Sequence, residues 1–305
     1  RIENKIEEKD YKRGLSLIKN LGLKRYSNLI KTFKTNKKIF NSSYNEFIKI
    51  PLITNTIAKD LTDLSIKNEA KIHFNFMLKN NIDIISIHDK EYPANLKQIY
   101  NPPIHLYIRG NKNILNNINI AIVGCRECST YGKNVAQKFA FDLSKNGINI
   151  VSGLAKGIDS HSHLGSIYAK GKTIAVLGSG LDIIYPEENK YLANMILEKQ
   201  GSIISEYPLG TKPTKTNFPA RNRIISGISK AVIVVEAKKK SGTLITVDFA
   251  LEQGRDVFVI PRKYYFFKFR RNKWFNKTGS KISNKFFWSF RRFIMFFLFL
   301  LNISI

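Results

Sequence analysis

The chain has 305 residues with 50 Lys and Arg against 23 Asp and Glu, a net charge of +27, and two cysteines. Two cysteines exclude a disulfide-built scaffold and fit a reducing cytoplasm, and the charged, helically patterned residues 1–40 show no apolar h-region, so no secretory signal is expected in them. The charge favours a polyanionic partner, but the residues after Pro261 hold 11 cations and no acid, so 50 less 11 against 23 leaves +16 on residues 1–261.

Residues 11–80 carry apolar side chains at helical spacing: Leu15, Ile18 and Leu21, then Leu29, Ile30 and Phe33, then Ile57, Leu61 and Leu64. Breaks at Gly22 and Pro51 divide them into short helices, predicting a small all-α domain over residues 1–80. Residues 81–117, punctuated by Tyr92-Pro93 and Pro102-Pro103, read as a connecting segment. From 118 to 261 the texture changes. Nearly continuous β-branched runs at 120–123, 148–152, 173–177, 202–205, 231–236 and 256–260 alternate with helical stretches. Strands apolar on both faces and separated by helices predict a doubly wound, mostly parallel, Rossmann-like α/β sheet.

Ligands of such sheets bind beyond the carboxyl ends of the strands. There the chain carries Gly124-Cys125-Arg126, then Ser152-Gly153-Leu154-Ala155 with Gly157, then Gly178-Ser179-Gly180. Glycine admits close backbone approach and helix N-termini attract phosphate. Gly124, Gly153, Gly157, Gly178, Ser179 and Gly180 are therefore expected to offer phosphate-loop backbone. Lys215, Arg221 and Arg223 surround Phe218 at the start of a predicted helix. Cations following phosphates beside a stacking aromatic are the pattern of single-strand binding. A core Phe218 with ordinary surface arginines fits the spacing equally well.

Other motifs are weaker. Cys125 and Cys128 have no second pair to complete a zinc site. His161 and His163, two apart on a helix, diverge. Residues 165–173 imitate a P-loop but run from helix to strand, the reverse of the required order. Ser152, Asp159 and His163 lie near one loop without a nucleophile elbow, and Asp159 reads better as a helix cap. No catalytic, metal or cofactor site is expected.

The ordered motifs VGCRECSTYG, SGLAKGIDSHSH, AVLGSGLDIIYP, SEYPLGTKP, NFPARNRIISGIS, VVEAKKKSGTLIT and ALEQGRDVFVIP, with YPANL and NPPIHLYIRG upstream, resemble the DprA/Smf family. The resemblance covers about residues 10–261, the start matching that family's sterile-alpha-motif-like (helix-hairpin-helix) domain. It implies a cytoplasmic, non-catalytic protein of natural transformation that binds and protects incoming single-stranded DNA, loads RecA onto it, and forms a homodimer through its Rossmann domains. It places DNA contacts on Arg126 and Lys215, a base-facing role on Phe218, and the basic pocket on Arg221 and Arg223. Cys125, Ser129 and Ser162 stand where the family has Ser, Thr and Ala. The alternative is a nucleoside-phosphate hydrolase of the lysine-decarboxylase-like type, whose P-G-G-x-G-T-x-x-E pattern is missing from SGTLIT. A dinucleotide-dependent oxidoreductase lacks its G-x-G-x-x-G.

The motif resemblance stops at Pro261. Back-translated with suitable codons and read one base later, the chain from Arg262 becomes GNIISSNSGGTNGLIKQGAK, which resembles the missing family segment. A one-base insertion near codon 262 is therefore expected; it would remove the last part of the sheet domain and put the family's homodimer in doubt. The apolar run at 293–305 has 13 residues, short of the roughly 20 that span a bilayer, so no membrane anchor is expected.

Overall fold

The computed structural model describes residues 8–237, 241–260 and 267–269; the altered-frame reading of 262–305 falls, beyond those three residues, outside them. The N-terminal helices are α1 (Glu8–Ser16), α2 (Leu23–Phe33), α3 (Asn36–Asn41), α4 (Tyr44–Phe47), α5 (Asn55–Thr62) and α6 (Leu64–Lys79). Thr35, Thr54 and Asp63 accept from the backbone amides of Lys38, Ile57 and Ser65, capping α3, α5 and α6.

The segment expected merely to connect contributes two strands, β1 (Ile82–Ser86) and β2 (His105–Gly110), on either side of a short helix, α7 (Ala94–Lys97). The alternating units follow: β3 (Asn119–Gly124), α8 (Thr130–Lys145), β4 (Asn149–Ser152), α9 (Ile158–Tyr168), β5 (Thr173–Val176), α10 (Lys190–Glu198) and β6 (Ser202–Ser205). After α11 (Asn217–Gly227) come β7 (Ala231–Val235), α12 (Gly242–Glu252), β8 (Asp256–Ile260) and β9 (Phe267–Phe269). Among the described residues these form one sheet in the order β1-β2-β6-β5-β4-β3-β7-β8-β9. The six strands from β6 to β8 are mutually parallel, whereas β1, β2 and β9 join antiparallel at the edges. The doubly wound, mostly parallel sheet is as expected.

Successive strand residues face opposite layers. Ile120, Ile122, Ile150 and Ile233 pack with Phe139, Ala140 and Leu143 of α8. Ala121, Val123, Val232 and Val234 pack with Ile224 and Ile225 of α11 and Ala250 of α12. Burying each such Ile or Val side chain contributes about 1.5–3 kcal/mol. The second layer does not end at the sheet. Leu15, Tyr26, Leu29 and Leu61 belong to the same contiguous core through Leu106 and Ile108 of β2. The N-terminal helices, expected to stand as a domain of their own, thus share a core with the sheet. Lys12 clamps α1 down with an ion pair to Asp89 at 2.6 Å.

Candidate functional site

Of the residues expected to act together, Arg126, Phe218 and Arg221 meet at the carboxyl ends of β3, β4 and β5. Arg126 follows β3 and is exposed. Phe218 sits in the first turn of α11, half-buried, with the Arg126 guanidinium over its ring at 5.7 Å, a contact of about 0.5–1 kcal/mol at such a site. Tyr185, from the loop after β5, packs on Phe218 with ring centroids 5.4 Å apart and planes tilted by 32°. Gly178 makes that possible, because a Cβ there would lie 2.9 Å from Phe218 Cδ1. Arg126, Lys156, Tyr185, Pro186, Phe218 and Arg221 line an open depression of about 60 Å³. Lys215 stands outside this lining, exposed on the approach to α11.

Arg221 reaches the depression from below. Its side chain is 5% exposed; Nη1 donates to the Gly153 carbonyl at 2.9 Å and to the Val176 carbonyl, tying β4 to β5. Asp159 is its electrostatic counterpart and is buried with it. Burial brings the Arg221 guanidinium down to about 10, against the opposing pull of Asp159. Burial likewise pushes the Asp159 carboxyl above its ordinary range, against Arg221 and the loop amides. Gly153 is required where the two meet: a Cβ would lie 2.6 Å from Arg221 Nη2 and 2.8 Å from Asp159 Oδ2.

Arg223 points elsewhere. On a helix, residues 218 and 221 share a face, while 223 is rotated away by two more steps of 100°. Its guanidinium is spent on Glu206, through Nη1–Oε1 at 2.6 Å and Nη2–Oε2 at 2.5 Å, with Nε donating to the Asn101 carbonyl at 3.1 Å. Burial alone would lower its pKa; the Glu206 carboxylate reverses that and holds it above the ordinary value. Arg223 lines a separate cavity of about 250 Å³ under the N-terminal helices, so the structure does not place it in the basic pocket.

The expected phosphate loops are occupied by the protein itself. Asp159 Oδ2 accepts from the amides of Gly153 and Ala155 at 3.1 and 3.3 Å; it clamps the preceding loop rather than capping its own helix. Between β3 and β7, where the strand order reverses, Glu236 accepts from the Ser129 amide at 2.8 Å and from its hydroxyl, filling the N-terminus of α8. Glu236 adopts φ 54° to do so. The Gly180 amide donates to the Thr211 carbonyl at 2.9 Å, and the Ser179 hydroxyl to the Ile183 carbonyl at 2.7 Å. Gly124 serves packing, since a Cβ would strike the Val235 carbonyl and Ile158.

Gly157 has φ 76°, and a Cβ would strike the Arg126 and Cys125 carbonyls. Gly157→Ala is therefore expected to cost about 1–3 kcal/mol and to displace the Arg126 loop. A urea melt matching wild type would contradict this.

The remaining candidates have structural duties. Ser152 Oγ donates to the Ile122 carbonyl at 2.7 Å, and His163 is fully buried with Nδ1 2.7 Å from Thr173 Oγ1. Cys125 and Cys128 form no disulfide. Among the described residues no cluster of three His, Cys, Asp or Glu is placed to hold a metal, and no helix is long and apolar enough to cross a membrane. Sequence reasoning missed Lys156, Tyr185 and Pro186. The exposed aromatic in a strand-end loop was the signal for Tyr185.

A model of the family described as DNA recombination-mediator protein A matches residues 83–287, further along the chain than the motif resemblance, which ended at Pro261. DNA processing protein DprA of Bacillus subtilis is 50% identical over 181 residues, 59% of this chain and 61% of that protein. Protein Smf of Borreliella burgdorferi is 31% identical over 255 residues, covering 83% of this chain and 77% of that protein. The X-ray structure of DNA processing protein A from Streptococcus pneumoniae superposes with a TM-score of 0.62 at 36% identity, over 84% of this chain and 87% of that one. The Helicobacter pylori counterpart, whose structure describes a single-stranded DNA binding mode, gives 0.53 at 31% identity over 59% of this chain and 84% of that one. The match spans less than two thirds of the Bacillus subtilis protein's length.

Proposed function

The chain belongs to the DNA recombination-mediator protein A (DprA/Smf) family, and from that premise we propose that it binds single-stranded DNA at the Arg126–Phe218 depression without catalysing a reaction on it. The observation that carries this reading is the division of labour at the strand ends. The sites that would grip a nucleotide's phosphate in a dinucleotide-binding sheet are filled by Asp159 and Glu236. The exposed Arg126 cation, seated over the Phe218 ring, borders an open depression beside them. Single strands need a cationic track with faces for bases, and no deep pocket. The hydrolase reading loses its carboxylates to the same loops, and Ser152 and His163 are engaged in the core.

Delivery of the strand to RecA during natural transformation, pairing with a second copy of the chain, and residence in the cytoplasm belong to the same proposal. Family membership is their support.

Salt-dependent binding to an oligo-dT strand tests the site. Each phosphate contact on a single strand contributes about −0.7 to the slope of log K against log salt. Arg126→Ala with Lys215→Ala is expected to flatten the slope by about 1.4 and weaken binding on the order of 50-fold at low salt, with stability lowered by no more than about 1 kcal/mol. A double variant with the wild-type slope and affinity removes these two residues from the interface.

A further inference from the structure

We infer that Tyr185 and Lys156 form a second nucleotide subsite on the same strand track, with the base stacked on the Tyr185 ring and the adjoining phosphate on Lys156. This rests on the single-strand reading and adds residues to it.

Phe218 is poorly placed to be the main stacking surface. Its ring carries the Arg126 guanidinium at 5.7 Å, its edge lies against Gly178, and Tyr185 packs on it at 5.4 Å. The outward-facing member of the aromatic pair is Tyr185, which keeps 45% of its surface exposed. The loop that presents it is anchored at both ends. Ser179 Oγ donates to the Ile183 carbonyl at 2.7 Å. Asn189 Nδ2 donates to the Leu154 carbonyl at 2.8 Å and to Ser160 Oγ at 3.0 Å. A ring held this way loses little freedom when a base stacks on it.

Lys156 lines the same depression, and its ammonium lies 2.6 Å from Glu188, both side chains being about half exposed (54% and 55%). Such a surface pair is weak and screened by salt, so a phosphate can take the ammonium from Glu188 at little cost. Glu188 then acts as a resident competitor for the strand's phosphate. Free nucleotides gain less here, because the loop amides that would grip a terminal phosphate already hold Asp159 and Glu236.

The test is binding of oligo-dT to the full chain, with deoxythymidine monophosphate as a second ligand. Stacking strengths of known single-strand sites lead us to expect Tyr185→Ala to weaken oligo-dT binding about 5- to 100-fold at an unchanged salt slope. Tyr185→Phe should restore it. Glu188→Gln should tighten binding about two- to three-fold at low salt, and Lys156→Ala should flatten the slope by about 0.7, the loss of one phosphate contact. Oligo-dT carrying 5-iodouracil should photo-crosslink to Tyr185. Wild-type affinity in Tyr185→Ala, cross-links confined to Phe218, or mononucleotide binding as tight as the strand overturns the subsite. Wild-type protein that ignores oligo-dT altogether instead overturns the single-strand reading beneath it.

Discussion

Arg221→Ala is expected to destabilise the fold by roughly 3–5 kcal/mol, the usual cost of removing one partner of a buried charge pair, while Arg126→Ala costs no more than the roughly 0.5–1 kcal/mol of its contact with Phe218. Both are arginines of one depression, and their difference lies in what surrounds them. Arg126 is exposed and touches one ring face. Arg221 is 5% exposed, gives hydrogen bonds to the carbonyls of Gly153 and Val176, and offsets the charge of buried Asp159. Truncating it leaves two strand-end carbonyls without a donor and a carboxylate without a counter-charge. Desolvated groups left so cost more than the hydrogen bonds they had made. Urea melts of the two variants decide the matter. A wild-type melt for Arg221→Ala, together with a flatter salt slope for oligo-dT, would make Arg221 a DNA contact instead of a strut.

How much of this was legible depended on whether a feature is set locally. The six parallel strands are buried on both faces, and their uninterrupted apolar runs stand out wherever their neighbours lie; the predicted 202–205 and 256–260 match β6 and β8 to the residue. The edge strands β1 and β2 were hidden. Asp83 and Arg109 interrupt their apolar pattern, and β2 pairs with β6, from the far side of the sheet sequence. Their strand character comes from a partner that local pattern cannot show.

The site divides the same way. Phe218 and Arg221 share a helical face by simple spacing, and the same spacing sends Arg223 to Glu206. That rotation was readable, and it had already separated His161 from His163. The glycines were not readable in this sense. A glycine reports that something comes close, and the thing that comes close to Gly153 is the Arg221 and Asp159 side chains rather than a ligand phosphate. Beyond being an aromatic in a strand-end loop, Tyr185 carries no motif signal, because its role depends on the Phe218 ring approaching from α11.

Acid is expected to unfold this protein through two histidines. His105 and His163 are 6% and 0% exposed, and both pKa values fall to about 3. Burial is the chief cause in each; Lys12 adds to it at His105 and Arg221 at His163. The tautomer of His163 follows from its neighbour. Thr173 Oγ1 donates to the Ile150 carbonyl at 2.7 Å, so it must accept from His163 Nδ1–H, which leaves Nε2 bare in the core. A second proton on Nε2 would put a buried cation beside Arg221. In the unfolded chain both rings titrate near the ordinary value of about 6.5. Between about pH 6.5 and 3 these two rings therefore bind up to two more protons in the unfolded chain than in the folded one. The contribution to stability is present above pH 6.5 and is lost as the pH falls. Each histidine gives a slope of at most about 1.4 kcal/mol per pH unit, so the pair removes up to roughly 5 kcal/mol between pH 6.5 and 4.5. Urea melts across that range measure the slope. His163→Asn, whose amide can still donate to Thr173, should lower stability at neutral pH yet halve the slope; a profile parallel to wild type would show that His163 is not the group that acid attacks.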